Sequence, residues 1–343
     1  MLTLARKWYR VGLLHLTDWW GHPRWQWAIR LSVSLLALGY VAWRVWVERE
    51  TLSLSQQWLQ QPAWLLLALG LLPLNLGLEA AKWRCLLRSQ GLTCARGEAF
   101  GAILAGAATG LFTPNRLGDY AGRLLHLPPG HRLWAAVHTF VCRIAQMAIT
   151  LLLGALALGW LATTSPHLPP WLAVSYPVWL GLASGLALLA AVGFAWPQPF
   201  QHLLRRMPLR GALLLRAQEA LACVPVRTLR RVWGLSLLRG AVFTAQYAAL
   251  LLAFGGQMGG PLALALASIT LLLKSLAPSV TLAELGVRES VALAVMSLAD
   301  MPAPVIVAAT FALFLINLIL PALGGLLVIG GGASRPGSST HAP

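Results

Sequence analysis

Two short stretches of the chain gather the residue types best suited to holding a charged group. The first reads Thr113-Pro114-Asn115-Arg116-Leu117-Gly118-Asp119-Tyr120-Ala121-Gly122-Arg123. The second reads Lys274-Ser275-Leu276-Ala277-Pro278-Ser279-Val280-Thr281-Leu282-Ala283-Glu284-Leu285-Gly286-Val287-Arg288-Glu289. Each contains a proline, small hydroxyl or amide residues, an arginine, a glycine and a carboxylate, and each interrupts an apolar segment. A guanidinium presents its donors as a planar fork that matches phosphate or carboxylate. Helices that begin or end at such breaks add free N-termini whose dipoles favour anions. Arg143 and Arg239 lie inside apolar runs, and Arg143 has no charged neighbour in its own run. An ionised side chain at membrane depth costs about 2.5–3.5 kcal/mol on insertion scales, so such groups face protein or water and take a partner. Arg116 with Asp119 and Arg288 with Glu284 are spaced as local pairs on a helical turn.

The elements that must position these residues are helices in a membrane. The chain has 343 residues, of which 58% are hydrophobic and 10% charged, against roughly 25% charged in soluble proteins. Apolar residues fall in runs such as Leu31–Val41, Leu65–Leu72, Ala145–Leu161 and Leu180–Ala195. A crossing helix needs about 20 mostly apolar residues, and lipid demands that every backbone polar group be satisfied internally. Alternating strands of the barrel kind are missing. Six stretches are long enough to cross: 27–46, 62–81, 133–161, 172–195, 232–254 and 303–331. Glu98–Phe112 and Pro261–Ala277 are too short; each stops near a proline and is followed by a second short helical piece, Leu117–Leu127 and Glu284–Leu298.

Basic residues orient the chain. Arg6, Lys7, Arg10 and Arg24 precede the first span, Lys82, Arg84, Arg88 and Arg96 follow the second, and seven arginines occupy 197–231. The segments 162–171 and 255–260 carry no charge. With the basic segments cytosolic, 98–130 and 261–300 must each return to the side they left. The reading is therefore an all-α polytopic membrane protein: about six full spans, two re-entrant broken-helix hairpins of inverted topology, and both termini cytosolic. Residues 1–26 read as an interfacial amphipathic segment, 27–331 as one transmembrane domain and 332–343 as a disordered tail. Trp43, Trp46, Trp64, Trp160 and Trp171 mark the outer ends of the spans, and Trp27, Trp83, Trp134, Trp196 and Trp233 the inner ends.

The net charge of +16 fits orientation and anionic lipid contact better than nucleic acid, because the charges sit between apolar runs. Cys85, Cys94, Cys142 and Cys223 form no C-x-x-C pair and read as free thiols. The eight histidines show no metal spacing, and no Walker-type sequence is present, so neither a metal, a cofactor nor an enzymatic activity is expected. Simpler readings apply to many of the polar residues. Arg116, Arg123 and Arg288 could close internal salt bridges, and Asn75 and Asn317 could pair between helices. Glu79, Lys82 and Arg84 straddle a helix end, from which Lys82 and Arg84 would snorkel to the interface. Gly106-x-x-x-Gly110, Gly118-x-x-x-Gly122 and Gly181-x-x-x-Gly185 read as close-packing faces.

The sequence resembles the flippase-like family of the lysylphosphatidylglycerol synthase transmembrane region. Three blocks carry the resemblance: Asn75…Arg84; Thr113-Pro114-Asn115-Arg116-Leu117-Gly118-Asp119…Arg123; and Glu284-Leu285-Gly286-Val287-Arg288-Glu289. The latter two are similar to the family patterns N-x-x-P-x-R-x-G-E/D…R and G-x-G-x-R-E. The resemblance implies re-entrant helices and transbilayer movement of a lipid. The aminoacyl-transferase domain of multidomain relatives has no counterpart in these residues, so the family name is not read as an activity.

The expectation is a lipid flippase or scramblase of a bacterial inner membrane. In it Arg116, Arg123, Arg143, Arg239 and Arg288 bind a headgroup phosphate, with Asn75, Arg84, Asn115 and Lys274 in the same pathway. Asp119, Glu284 and Glu289 balance charge or engage a cationic headgroup. Partners are then membrane lipids with anionic or phosphate-bearing headgroups, not nucleic acid; a homo-oligomer or a glycosyltransferase partner stays open. Two alternatives are a non-transporting scaffold of a glycosyltransferase, acting through 197–231, and an integral membrane enzyme acting on polyprenyl or glycosyl lipids.

Overall fold

A computed structural model describes residues 59–111, 113, 116–124, 127, 129–164, 170–206, 212–255, 258–276 and 284–330. The expected interfacial segment, the first span at 27–46, Asn115 and the tail lie outside the described residues. Those that are described fold into helices: α1 (Pro62–Arg88), α2 (Arg96–Gly110), α3 (Gly118–Leu124), α4 (Arg132–Thr164), α5 (Pro170–Ala195), α6 (Gln198–Arg206), α7 (Ala212–Ala222), α8 (Val226–Ala253), α9 (Gly260–Leu276), α10 (Glu284–Met296), α11 (Ala303–Phe314) and α12 (Leu320–Gly330). A π-helical turn at Leu315–Ile319 joins α11 to α12 in one run. Among the described residues five helices, α1, α4, α5, α8 and α11–α12, are long and apolar enough to cross a membrane. At 1.5 Å per residue the 33 residues of α4 reach about 50 Å, more than the ~30 Å hydrocarbon core.

Burial separates the central helix from the peripheral one. In α8, 61% of the most apolar window is enclosed by the protein, against 17% in α5. Packed around α8 are α1, α4, α9 and α11. The side chains that α5 turns outward, such as Leu182 and Leu188, are apolar, as a lipid-facing surface requires. Among the described residues nothing lies against Gly181 or Gly185, so the close packing expected of this pair is not seen there. Pro73 interrupts the backbone ladder of α1. Five residues earlier, the buried Gln246 of α8 donates to the Ala68 carbonyl at 2.7 Å.

Both short-helix pairs double back on themselves. Gly118 and Gly122 of α3 lie on the Thr109 and Ala105 carbonyls of α2, while Gly106 and Gly110 face Asp119. Only glycine lets two backbones approach this closely. The turn between them holds Arg116 in a left-handed conformation, φ 56°, a strained state for a residue with a side chain. Thr113 Oγ1 accepts the Gly118 N–H at 2.6 Å, and Thr109 Oγ1 donates to the Gly118 carbonyl at 2.6 Å. Leu127, after the hairpin, packs with Cys94 and Ala99 before it. At the other pair, Val295 near the end of α10 clusters with Ala265 and Leu266 of α9, as does Ala299 beyond it.

Two boundary residues differ from expectation. Trp83 has no exposed surface, so it is a core residue rather than part of an interfacial belt. Lys82 is equally buried and does not snorkel. Both follow from the length of α1, which continues to Arg88 and not to 81; the two residues sit inside the helix, facing the bundle.

Candidate functional site

The first hairpin closes onto a cluster of charges supplied by α1, α3, α4 and α8. Its scaffold is the α2–α3 glycine contact, which brings Asp119 against Gly106 of α2. From α3, Arg123 donates from Nε and a terminal nitrogen to the two oxygens of Asp119, both at 2.9 Å. The same terminal nitrogen reaches Glu79 of α1 at 3.0 Å. Glu79 also pairs with Lys82 at 2.8 Å, one turn along its own helix, and with Arg239 of α8 at 3.4 Å. Lys82 donates to the Gln146 side chain of α4 at 3.2 Å. Arg143, one turn before Gln146, donates to Asp119 at 2.7 Å and to the Arg116 carbonyl at 3.2 Å. Its guanidinium also lies 5.1 Å from the centre of the Tyr120 ring, a cation–π contact.

The cluster thus joins four cations, Lys82, Arg123, Arg143 and Arg239, to two carboxylates, Glu79 and Asp119. Two positive charges are left in excess. Lys82 and Arg123 are enclosed, whereas the Arg143 and Arg239 side chains keep 33% and 23% of their surface exposed. The inner pair is therefore enclosed with the carboxylates, and each member of the outer pair keeps part of its surface accessible. Excess positive charge among apolar helices, where solvent screening is weak, attracts an anion.

Of the residues anticipated from sequence, the structure brings together Asp119, Arg123, Arg143, Arg239 and the backbone of Arg116. Asn75 instead donates to Asn317 of the π-helical turn at 2.8 Å, the inter-helix pairing weighed as its simpler reading. Arg84 donates to the Cys94 carbonyl at 2.9 Å and ties down the connection between α1 and α2. In the second hairpin, Lys274 lies half-buried in the last turn of α9, and Arg288 of α10 stacks 5.1 Å from the Phe314 ring centre. Glu289 is half-buried on α10, and Glu284 opens that helix. Sequence reasoning missed Glu79, Lys82 and Gln146 as members of the site. The available signal was Glu79 itself, a carboxylate within an apolar helix, which demands a partner as much as Arg143 does.

Two openings involve the helices that carry the cluster. A small cavity of mixed lining, with Gln146, Thr150, Thr244 and Ser268 beside Leu153, Phe243 and Leu271, runs from the partner of Lys82 to α9 of the second hairpin. An apolar groove of about 490 Å³ lies between α4, α5, α6 and α7 and includes Val141 and Ile144, which bracket Arg143 in sequence.

A family model described as the lysylphosphatidylglycerol synthase TM region matches residues 27–325. No curated protein matches the chain.

Proposed function

The chain belongs to the lysylphosphatidylglycerol synthase transmembrane family, and from that premise we propose that it moves a phosphate-bearing lipid across the bacterial inner membrane. The observation that carries this reading is the net-positive cluster, built where a broken-helix hairpin meets three long helices. Irregular backbone and unbalanced charge are tolerated at membrane depth only where they line a path for something polar. In the proposed cycle a headgroup phosphate reaches the accessible surface of Arg143 and Arg239. Arg143 keeps one contact to Asp119 and has further donors for the phosphate, since a guanidinium carries five N–H groups. The acyl tails stay in lipid or in the apolar groove beside α4. Arg123 and Lys82 hold Glu79 and Asp119 in place, so the site does not collapse when the phosphate leaves.

In this reading the two hairpins enter the bilayer from opposite faces and both termini are cytosolic. The chain has no phosphate-binding Gly-rich loop for nucleotide, so movement is passive or driven by an ion gradient. The test is reconstitution into liposomes with a fluorescent phospholipid. Wild-type protein should speed crossing over protein-free vesicles, and Arg143→Gln should slow it by about tenfold or more. Crossing at the protein-free rate, or a variant as fast as wild type, would contradict the reading.

A further inference from the structure

We infer that the apolar groove between α4, α5, α6 and α7 seats one acyl chain of an anionic phospholipid from the adjacent leaflet, with the headgroup among the arginines at its mouth. The inference concerns which lipid the groove holds and not whether that lipid crosses, so it stands apart from the transport reading. The groove volume of about 490 Å³ lies inside the range of about 300–1,000 Å³ common to ligand sites. Its walls include Ile144 of α4, Leu186 and Leu189 of α5, Phe200 and Leu203 of α6, and Leu221 of α7. All of these but Leu221 keep apolar surface exposed. Among the described lining residues the one polar side chain is Gln201, whose amide nitrogen donates to the Val224 carbonyl at 3.0 Å. Such walls gain from covering by hydrocarbon and offer little to a polar ligand, whose groups would be buried without partners.

The length of the groove fits a chain from one leaflet. Leu186 lines it and α5 ends at Ala195, nine residues or about 14 Å further on at 1.5 Å per residue. Half of the ~30 Å hydrocarbon core is about 15 Å. Trp196, directly after α5, is exposed, as an indole at headgroup level is. The charge at this end fits an anion. Arg230 of α8 donates from Nε and a terminal nitrogen to the Ala195 carbonyl at 3.2 and 3.0 Å, beside the lining residue Phe194. Arg205 of α6 reaches the Ala222 carbonyl at 3.5 Å, beside the lining residue Leu221. Both arginines are exposed, and a guanidinium has five N–H groups, so each has donors to spare. A carbonyl leaves their charge intact, and across 197–231 seven arginines face one carboxylate, Glu219. The short helix α6 joins the two halves of the site: Phe200 and Leu203 line the groove, and Arg205 and Arg206 are exposed. A basic surface of this kind draws anionic headgroups, and the groove beside it takes the chain.

The experiment is photolabelling of the full chain in phosphatidylcholine nanodiscs at physiological salt. The probes are phosphatidylglycerol and phosphatidylcholine at equal mole fraction, each with a diazirine midway along one acyl chain. The phosphatidylglycerol probe should label the α5 and α6 walls at least about fivefold more than the phosphatidylcholine probe. Gly193 lines the groove, and a Cβ there makes only ordinary contact with the Phe200 ring, at 3.7 Å. Gly193→Leu should therefore fill the groove and cut labelling of these walls by both probes at least about fivefold, with the melting midpoint retained. Arg205→Gln with Arg230→Gln should bring the two probes within about twofold of each other. Arg216→Gln, six residues or about 9 Å along α7 from Ala222 and beyond the ~8 Å Debye length, should leave the ratio intact. Because Arg205 and Arg230 are exposed, their double variant decides the matter if Gly193→Leu does not fold. Equal labelling by the two probes, or an equal loss of preference in Arg216→Gln, overturns the selection of an anionic lipid at this mouth. Walls that neither probe labels, or that cross-link to a second copy or to another segment of the chain, overturn the lipid occupant. No readout requires lipid to cross, so vesicles that move no lipid refute the transport reading and leave this one to be decided by labelling.

Discussion

Asp119 is the residue on which the cluster turns, and Asp119→Asn is the substitution that probes it most sharply. The amide keeps the shape of the carboxylate but removes its charge and turns one acceptor into a donor facing Arg123 and Arg143. Asp119 makes three contacts of 2.7–2.9 Å with these two guanidiniums. At about 4 Å between charge centres and an effective permittivity near 20, each pair is worth about 4 kcal/mol before desolvation is counted. Arg123 retains Glu79, so part of the interaction survives. Removing one partner of a buried pair costs about 3–5 kcal/mol, and we expect a loss in that range. The assay is reversible unfolding in mixed micelles, with Arg123→Gln and the double variant completing a thermodynamic cycle. The double variant restores the charge balance of the wild type, so the two losses should fall short of additive by about 1–3 kcal/mol. A loss below about 0.5 kcal/mol for Asp119→Asn, or strict additivity, would refute the claim that the carboxylate holds the hairpin against α4.

Other outcomes follow from the same contacts. Gly122→Leu should abolish stable expression, because even its Cβ collides with the Ala105 carbonyl and the backbone must move; Gly185→Leu, against which no described residue lies, should change the melting midpoint by no more than about 2 °C. Arg84→Ala should cost about 1 kcal/mol in unfolding measurements by releasing the Cys94 carbonyl, while lipid crossing stays within about twofold of wild type. The Cys94 thiol, between α1 and α2, is pushed up to about 11 by burial and then by the Glu98 carboxylate. A raised value means less thiolate at any lower pH, so its alkylation should rise about tenfold per pH unit between pH 8 and 10. At pH 8 the exposed Cys223 should label first; equal labelling there would contradict the burial.

Where hydropathy alone decides, the sequence was easily read. The expected 133–161 and 303–331 correspond to Arg132–Thr164 and Ala303–Gly330, and both short pairs fall where proline ends an apolar run. The end of α1 was misplaced, because Lys82 and Arg84 look like the polar residues that close a span. A helix continues through such residues when the protein, rather than lipid or water, receives them, and Glu79, Gln146 and Arg239 receive Lys82 and its partner. The site was half legible for the same reason. Arg143 announced that it needed a partner, but sequence spacing links only residues on one helix, and its partner Asp119 lies 24 positions away. The glycine motifs divide similarly: those at 106–110 and 118–122 face each other, and no described residue lies against 181 or 185, a distinction that local sequence cannot make.

A walled lipid path requires that the two short-helix pairs be hairpins entering from opposite faces. Single cysteines at Thr93 and Gly130 flank the first pair, and cysteines at Gly259 and Ser297 flank the second. Each is probed with a membrane-impermeant maleimide in right-side-out and inverted vesicles. Thr93→Cys and Gly130→Cys should label from the cytosolic side alone, and Gly259→Cys and Ser297→Cys from the opposite side alone. Labelling of either couple from two different sides would contradict the account.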